Sequence, residues 1–336
     1  MKILFITQLK DNGKIFNDII SDSLLLGLRD VYKNDVIDYP GAWYMYQDEI
    51  IKRNFDISKL WGSGFTYYNN LDNYNSIDRS DILNKIKNNY FEFIIYGSYT
   101  RSNLYYDEAL KSKSKIILID GEDHTDTSLN TNKNIIYFKR ELVKDERNLF
   151  PINVSIPKNK IISQINKNPK NLLAPLIPHR YKTYIYKKEH DYYKMWSDSL
   201  FGISYVHGGW WEAVRYYEML MNGCIPLIFN IKNCPNLTLT KLPKLELAEI
   251  FNKYSWILNQ YNPLKIYKKK FLNLEKLIFF LKHIPKKKYN SQNFLTDFPE
   301  INEIRERLLE HTKKKLTTEH NAKYVIQSAT EFYSST

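Results

Sequence analysis

Cysteine is nearly absent from this sequence of 336 residues: Cys224 and Cys234 are the only two. That is too few for a disulfide framework or a cysteine-based zinc site, and it fits a reducing compartment. Glycine is scarce as well, at 11 residues, against roughly 7% in ordinary chains, so each glycine corner marks a place where the backbone needs one. No apolar run reaches the ~18 uninterrupted residues of a membrane span. The opening stretch Met1 to Thr7 stops at Gln8, Lys10 and Asp11, too short for a signal h-region, and reads as a first strand. These absences give a cytoplasmic protein, in contact with membranes at most peripherally. Acidic residues are in the minority, 37 against 49 Lys and Arg, for a net charge of +12. Such an excess favours polyanions or anionic surfaces. The lysines are nevertheless scattered along a Lys/Asn/Ile/Tyr-rich chain without a nucleic-acid motif, so nucleic acid is not the expected partner.

What is present is core material. Hydrophobic residues make up 43% and aromatics 15%, including 27 Tyr, which excludes disorder over most of the chain. The length suits two domains of about 150 residues each. Lys2–Thr7, Asp35–Tyr39, Phe91–Tyr96, Lys115–Ile119 and Asn134–Phe138 read as buried strands, with helical spacing over 15–28 and 81–89. The opening is a βαβ unit. The aromatic stretch 43–75, centred on Gly62-Ser63-Gly64-Phe65, lacks the leading strand and third glycine of a dinucleotide fingerprint. It reads as an insertion beside an acceptor or as a packed Tyr-rich flap. Pro151, Pro157 and Pro169 among Asn and Lys have linker composition, and 151–157 could add a last strand before the crossing.

Two strand ends carry the polar residues of the first half. Gly97 to Arg101 follows one strand, and Asp120-Gly121-Glu122-Asp123-His124 follows the next. In open α/β sheets the carboxyl ends of strands are where ligands bind, so three carboxylates and a histidine there can supply a base. An Asp-Gly turn with Asp as a helix cap is the competing explanation. The basic pair Lys139-Arg140 after the following strand either meets an anion or is solvated.

The second half is organised around residues 200–235. Phe201–Val206 reads as a strand, His207-Gly208-Gly209 as a tight turn, Trp211–Met221 as an amphipathic helix and Ile225–Phe229 as the next strand. A helix N-terminus behind a glycine turn offers backbone N–H groups to an anion. On that helix Arg215 and Glu218 are three residues apart and share a face, worth only ~0.2–0.5 kcal/mol if they merely pair on the surface. Helices are also expected over 188–199, 245–259, 264–283, 301–315 and 320–332. The third of these is basic and amphipathic, a form that either lies on an anionic membrane, which would suit a lipid-linked acceptor, or packs on the core with a lysine rim.

Arg215-x-x-Glu218 followed by Gly223-Cys224-Ile225-Pro226 resembles the donor-site segment of exostosin-type GT-B glycosyltransferases, and is similar to the Arg-x-x-Glu of phage DNA glucosyltransferases. The longer run Gly-Gly-Trp…Arg-x-Tyr-Glu…Cys-x-Pro…Cys-Pro, ending at Pro235, is similar to uncharacterised bacterial and viral glycosyltransferases. The resemblance implies an α/β GT-B fold with two Rossmann-like domains facing across a cleft. It would place an acceptor domain at 1–157, a nucleotide-sugar domain at 158–320, and a helix at 321–336 returning to the first. It implies sugar transfer from a nucleoside diphosphate donor, UDP or GDP, to a glycan or lipid-linked hydroxyl, with no other cofactor and no metal, since no Asp-x-Asp occurs. Glu218 would take the ribose, and Arg215 and Arg180, with Lys182 beside it, the diphosphate. His207, Gly208, Gly209, Trp210 and Tyr216 would complete the donor site. In the Glu-x7-Glu pattern of retaining enzymes the earlier position is Trp210 here, which favours inversion with Asp123 or His124 as base and Asp120 or Glu122 as alternates. Two further functions compete: glucosylation of DNA, and a non-catalytic polysaccharide- or nucleic-acid-binding protein on a GT-B-like shell.

Overall fold

The computed structural model describes residues 1–8, 18–130, 132–178, 180–204, 211–260 and 287–335. In chain order these form β1 (Ile3–Ile6), α1 (Ile19–Tyr32), β2 (Val36–Tyr39), α2 (Gln47–Lys52), α3 (Ile82–Lys87), β3 (Phe93–Tyr96), α4 (Tyr106–Lys111), β4 (Lys115–Asp120), β5 (Ile136–Lys139) and β6 (Leu149–Pro151). There follow β7 (Asn171–Leu173), α5 (Glu189–Ser197), β8 (Ser199–Ser204), α6 (Val214–Met221), β9 (Ile225–Ile228), α7 (Lys244–Tyr254), α8 (Ser291–Asp297), α9 (Glu300–Lys315) and α10 (Thr318–Ser334). The basic stretch 264–283 lies outside the described residues, and among them no helix is long and apolar enough to cross a membrane.

The chain is α/β and divides into two compact units. The first comprises 1–160, 235–241 and 314–336; the second comprises 161–234 and 242–313. In the first, six parallel strands run in the order β2-β1-β3-β4-β5-β6. All four residues of β1 and of β3 are buried, the near-continuous apolar run expected of a strand covered on both faces. Because β2 and β3 lie on opposite sides of β1, the order reverses there, and the carboxyl ends of β1 and β3 flank a topological switch point.

Helix α1 begins at Ile19, where Asp18 caps it: its Oδ1 accepts from the backbone N–H groups of Ile20 and Ser21. Residues 15–17 lie outside the described residues. Along its length α1 packs on α10, and Gly27 permits the contact, since a Cβ there would stand 2.0 Å from the carbonyl oxygen of Thr318. The aromatic stretch 43–75 is a packed flap, with Tyr44, Tyr46 and Tyr67 all at 0% exposure. The expected strand over 151–157 is displaced: β6 covers Leu149–Pro151, and Ile156 instead bridges Thr317.

In the second unit three parallel strands run β7-β8-β9, with α5 and α6 as the successive crossovers. Arg305 of α9, at 0% exposure, donates to the carbonyl oxygens of Gly223 (2.6 Å) and Asn166 (2.8 Å) and to Asn302 Oδ1 (2.9 Å). One guanidinium thereby ties α9 to the turn before β9. Both cysteines are buried and neither is in a disulfide, and burial pushes the Cys224 thiol well up, so it stays protonated.

Candidate functional site

In the second unit the polar residues gather on α6, the helix that follows β8. Val214, Tyr216 and Tyr217 turn into the core, which leaves Arg215 half-buried near the helix start and Glu218 one turn on at 7% exposure. Tyr192 of α5 donates to Glu218 Oε2 at 2.5 Å. Arg215 donates to the hydroxyl of Tyr184, in the segment before α5, at 3.1 Å, with its guanidinium 5.7 Å from that ring's centroid. Burial works against the Arg215 charge, but Tyr192, Tyr184 and Glu218 outweigh it and raise its pKa above the usual arginine value. The Tyr192 hydroxyl is also held up, by burial first and by Glu218 second, so it remains a donor. The result is a permanent cation fixed beside an enclosed carboxylate.

The other donor candidates fall in three places. Tyr216 is fully buried and belongs to the core. Arg180 is half-buried at the cap of a short turn, Tyr181–Thr183, where its carbonyl oxygen accepts from Thr183 Oγ1 at 2.7 Å, and Lys182 in that turn is exposed. His207, Gly208, Gly209 and Trp210 lie outside the described residues.

In the first unit the carboxyl ends of β3 and β4 and the start of α1 converge. Gly121, just after β4, lets them meet, because a Cβ there would stand 2.6 Å from Asp18 Oδ1. Ser98 donates to Asp18 Oδ2 at 2.7 Å, and Arg101 lies 3.9 Å from the same oxygen. Arg101 Nε (3.0 Å) and Thr100 Oγ1 (3.1 Å) both donate to Glu122 Oε1. Burial favours the neutral form of Glu122, but Arg101 and Thr100 outweigh it and hold its pKa below the usual glutamate value. Deeper in, Asp22 at 1% exposure accepts on Oδ1 from Gln8 (2.8 Å) and Tyr44 (2.9 Å). Burial pushes it up to about 7 despite those two bonds.

The four sequence-predicted catalytic residues part company here. Asp120 is locked: Lys139 Nζ at 2.9 Å and the Glu122 N–H at 3.0 Å take Oδ1, and the Tyr137 hydroxyl at 2.7 Å takes Oδ2. With Asp120 at 1% and Lys139 at 0% exposure this is an enclosed ion pair: Lys139, the first of the basic pair, meets the Asp120 carboxylate, and Asp120, an alternate base by sequence, has both oxygens engaged. Asp123 is exposed and paired with Arg140, so the second basic residue after β5 serves a neighbouring turn. His124 is exposed on the same rim. Glu122 is held through one oxygen by Arg101 and Thr100 and still keeps 28% of its side chain exposed. Among the described residues no group of three His, Cys, Asp or Glu is placed to hold a metal ion.

Sequence reasoning missed Asp18, Asp22, Tyr184 and Tyr192, and it placed Arg101 at a strand end without giving it a role. Asp18 has a signal, an Asp just ahead of Ile19 and Ile20 that caps a helix. The others depend on contacts between residues distant in the chain, such as Ser98 with Asp18 and Tyr192 with Glu218. The sequence matches no family model, and it matches no curated protein either.

Proposed function

We propose that the two units are the Rossmann-like domains of a GT-B glycosyltransferase that moves a sugar from a nucleoside diphosphate donor to a hydroxyl of a glycan or lipid-linked acceptor. The observation that carries this reading is Arg215: a half-buried guanidinium near the start of α6, kept charged against burial by Tyr192, Tyr184 and Glu218. A fixed cation at a helix start suits a departing diphosphate, because it is oriented before charge develops and costs no reorganisation when it does. Glu218, enclosed and oriented by Tyr192, suits ribose hydroxyls, which donate to a carboxylate. In the first unit, the rim beside the switch point carries Thr100, Arg101 and the accessible Glu122, which offer donors and acceptors to a polyol.

Calorimetric titration of UDP and GDP tests the donor half. Arg215→Ala is expected to weaken the preferred nucleotide by about 10- to 100-fold, the worth of one or two charge-assisted bonds. Glu218→Gln, which keeps the size of the side chain, is expected to cost about 10-fold. Wild-type affinity in both folded variants, or no nucleotide binding by the wild type, removes the proposal.

A further inference from the structure

The carboxyl end of β4 presents one carboxylate that is fixed from several sides and still reaches solvent. Glu122 is tied through its backbone, the N–H donating to Asp120 Oδ1 at 3.0 Å and the carbonyl oxygen accepting from Lys139 Nζ at 3.1 Å. Its side chain is tied through Oε1 alone, by Thr100 and Arg101. No described residue hydrogen-bonds Oε2, and 28% of the side chain is exposed. The neighbouring carboxylates differ: Asp18 and Asp22 are 4% and 1% exposed, Asp120 is saturated by Lys139 and Tyr137, and Asp123 is spent on Arg140.

We propose that Glu122 Oε2 takes the proton from the acceptor hydroxyl, with Thr100 as the positioning residue that aims it. The assignment rests on the glycosyl transfer proposed above. As the hydroxyl O–H bond breaks and its proton passes to Oε2, the oxygen bonds to the anomeric carbon of the donor. The bond from that carbon to the nucleoside diphosphate breaks, and its electron pair leaves with the phosphate. Arg101 favours the ionised form of Glu122, so the proton acceptor is ready at neutral pH. Arg101 is itself flanked by Glu122 and Asp18, so the site suits a neutral polyol and disfavours a phosphate-bearing acceptor.

The experiment measures nucleotide release from UDP-glucose, UDP-N-acetylglucosamine and GDP-mannose with maltose or chitobiose as acceptor. Glu122→Gln is expected to lower kcat by about 10²- to 10⁴-fold, the usual share of a general base, with unchanged affinity for UDP or GDP. Formate is expected to restore part of the activity of Glu122→Ala, which a purely structural carboxylate would not allow. Thr100→Val is expected to lower kcat several-fold with KM for the donor unchanged, and it carries the test if the Glu122 variants do not fold. An active wild type whose Glu122→Gln variant keeps its rate to within about threefold overturns the assignment. A wild type that turns over no donor removes the glycosyl-transfer reading itself, and the assignment with it.

Discussion

A carboxylate that has lost its water must be compensated or protonated, and Asp22 shows the balance at the scale of one residue. Gln8 and Tyr44 both donate to Oδ1, yet burial wins and its pKa rises from 3.8 to about 7. The folded state therefore holds a proton that the unfolded chain has released between about pH 4 and 7. Over that window stability falls as pH rises, and the cost is complete above pH 7, on the order of 4 kcal/mol for a three-unit shift before relaxation. Asp22→Asn removes the charge and is expected to raise the melting temperature at pH 8 by several degrees while changing it little at pH 4. Equal effects at both pH values would show that Asp22 does not titrate in the folded protein. Arg215 is the opposite case, since its neighbours overcome burial and keep the charge.

At the scale of elements, the first unit depends on how closely α1 approaches α10. Glycine inside a helix ordinarily costs up to about 1 kcal/mol relative to alanine, so Gly27→Ala would stabilise an isolated α1. Here a Cβ at Gly27 would stand 2.0 Å from the Thr318 carbonyl oxygen and 2.4 Å from its carbon, which is backbone and yields little. Overpacking of this kind costs about 1–3 kcal/mol or more, so the clash outweighs the propensity. Gly27→Ala is expected to lower stability by thermal or urea unfolding; a gain would mean that the helices stand farther apart. Strands were the most legible elements, because β1 and β3 are uninterrupted Ile, Leu, Phe and Tyr runs and β4 and β5 carry such runs bounded by Lys115, Asp120 and Lys139. Short helices were less so: α3 falls within the helical spacing read over 81–89, but α2, α4 and α8, at 6, 6 and 7 residues, are too short for a period of 3.6 to stand out. Their stability comes from packing more than from propensity.

At the scale of the whole molecule, the first unit is assembled from three separate pieces of chain. Thr238, from the 235–241 segment, donates to the Leu142 carbonyl oxygen at 2.8 Å, and Thr240 donates to Asn153 Oδ1 at 2.7 Å. From α10, Tyr333 donates to the Ile116 carbonyl oxygen at 2.5 Å, while Val325, Ala329 and Phe332 are buried. Each large apolar side chain buried there is worth about 1.5–3 kcal/mol, against a typical total stability of about 5–15 kcal/mol. A chain ending at Lys313 is therefore expected to lose protection across the first sheet in hydrogen exchange. Protection equal to that of the full chain would show that α10 adds nothing to that unit.

The sequence by itself determined the α/β character, because short apolar runs between polar turns, alternating with stretches of helical spacing, are the pattern of covered parallel strands joined by helices. It also located the rim after β4, where an Asp-Gly turn interrupts such a run, and the face shared by Arg215 and Glu218, which helical spacing dictates. The tertiary structure alone decided which polar groups do what. Asp120 and Lys139 neutralise each other because adjacent parallel strands put them side by side, Asp18 meets Ser98 across 80 residues of chain, and Glu122 is left accessible because its neighbours are already engaged. Burial and long-range pairing set the charge and reach of a side chain, and both come into being only when distant segments pack.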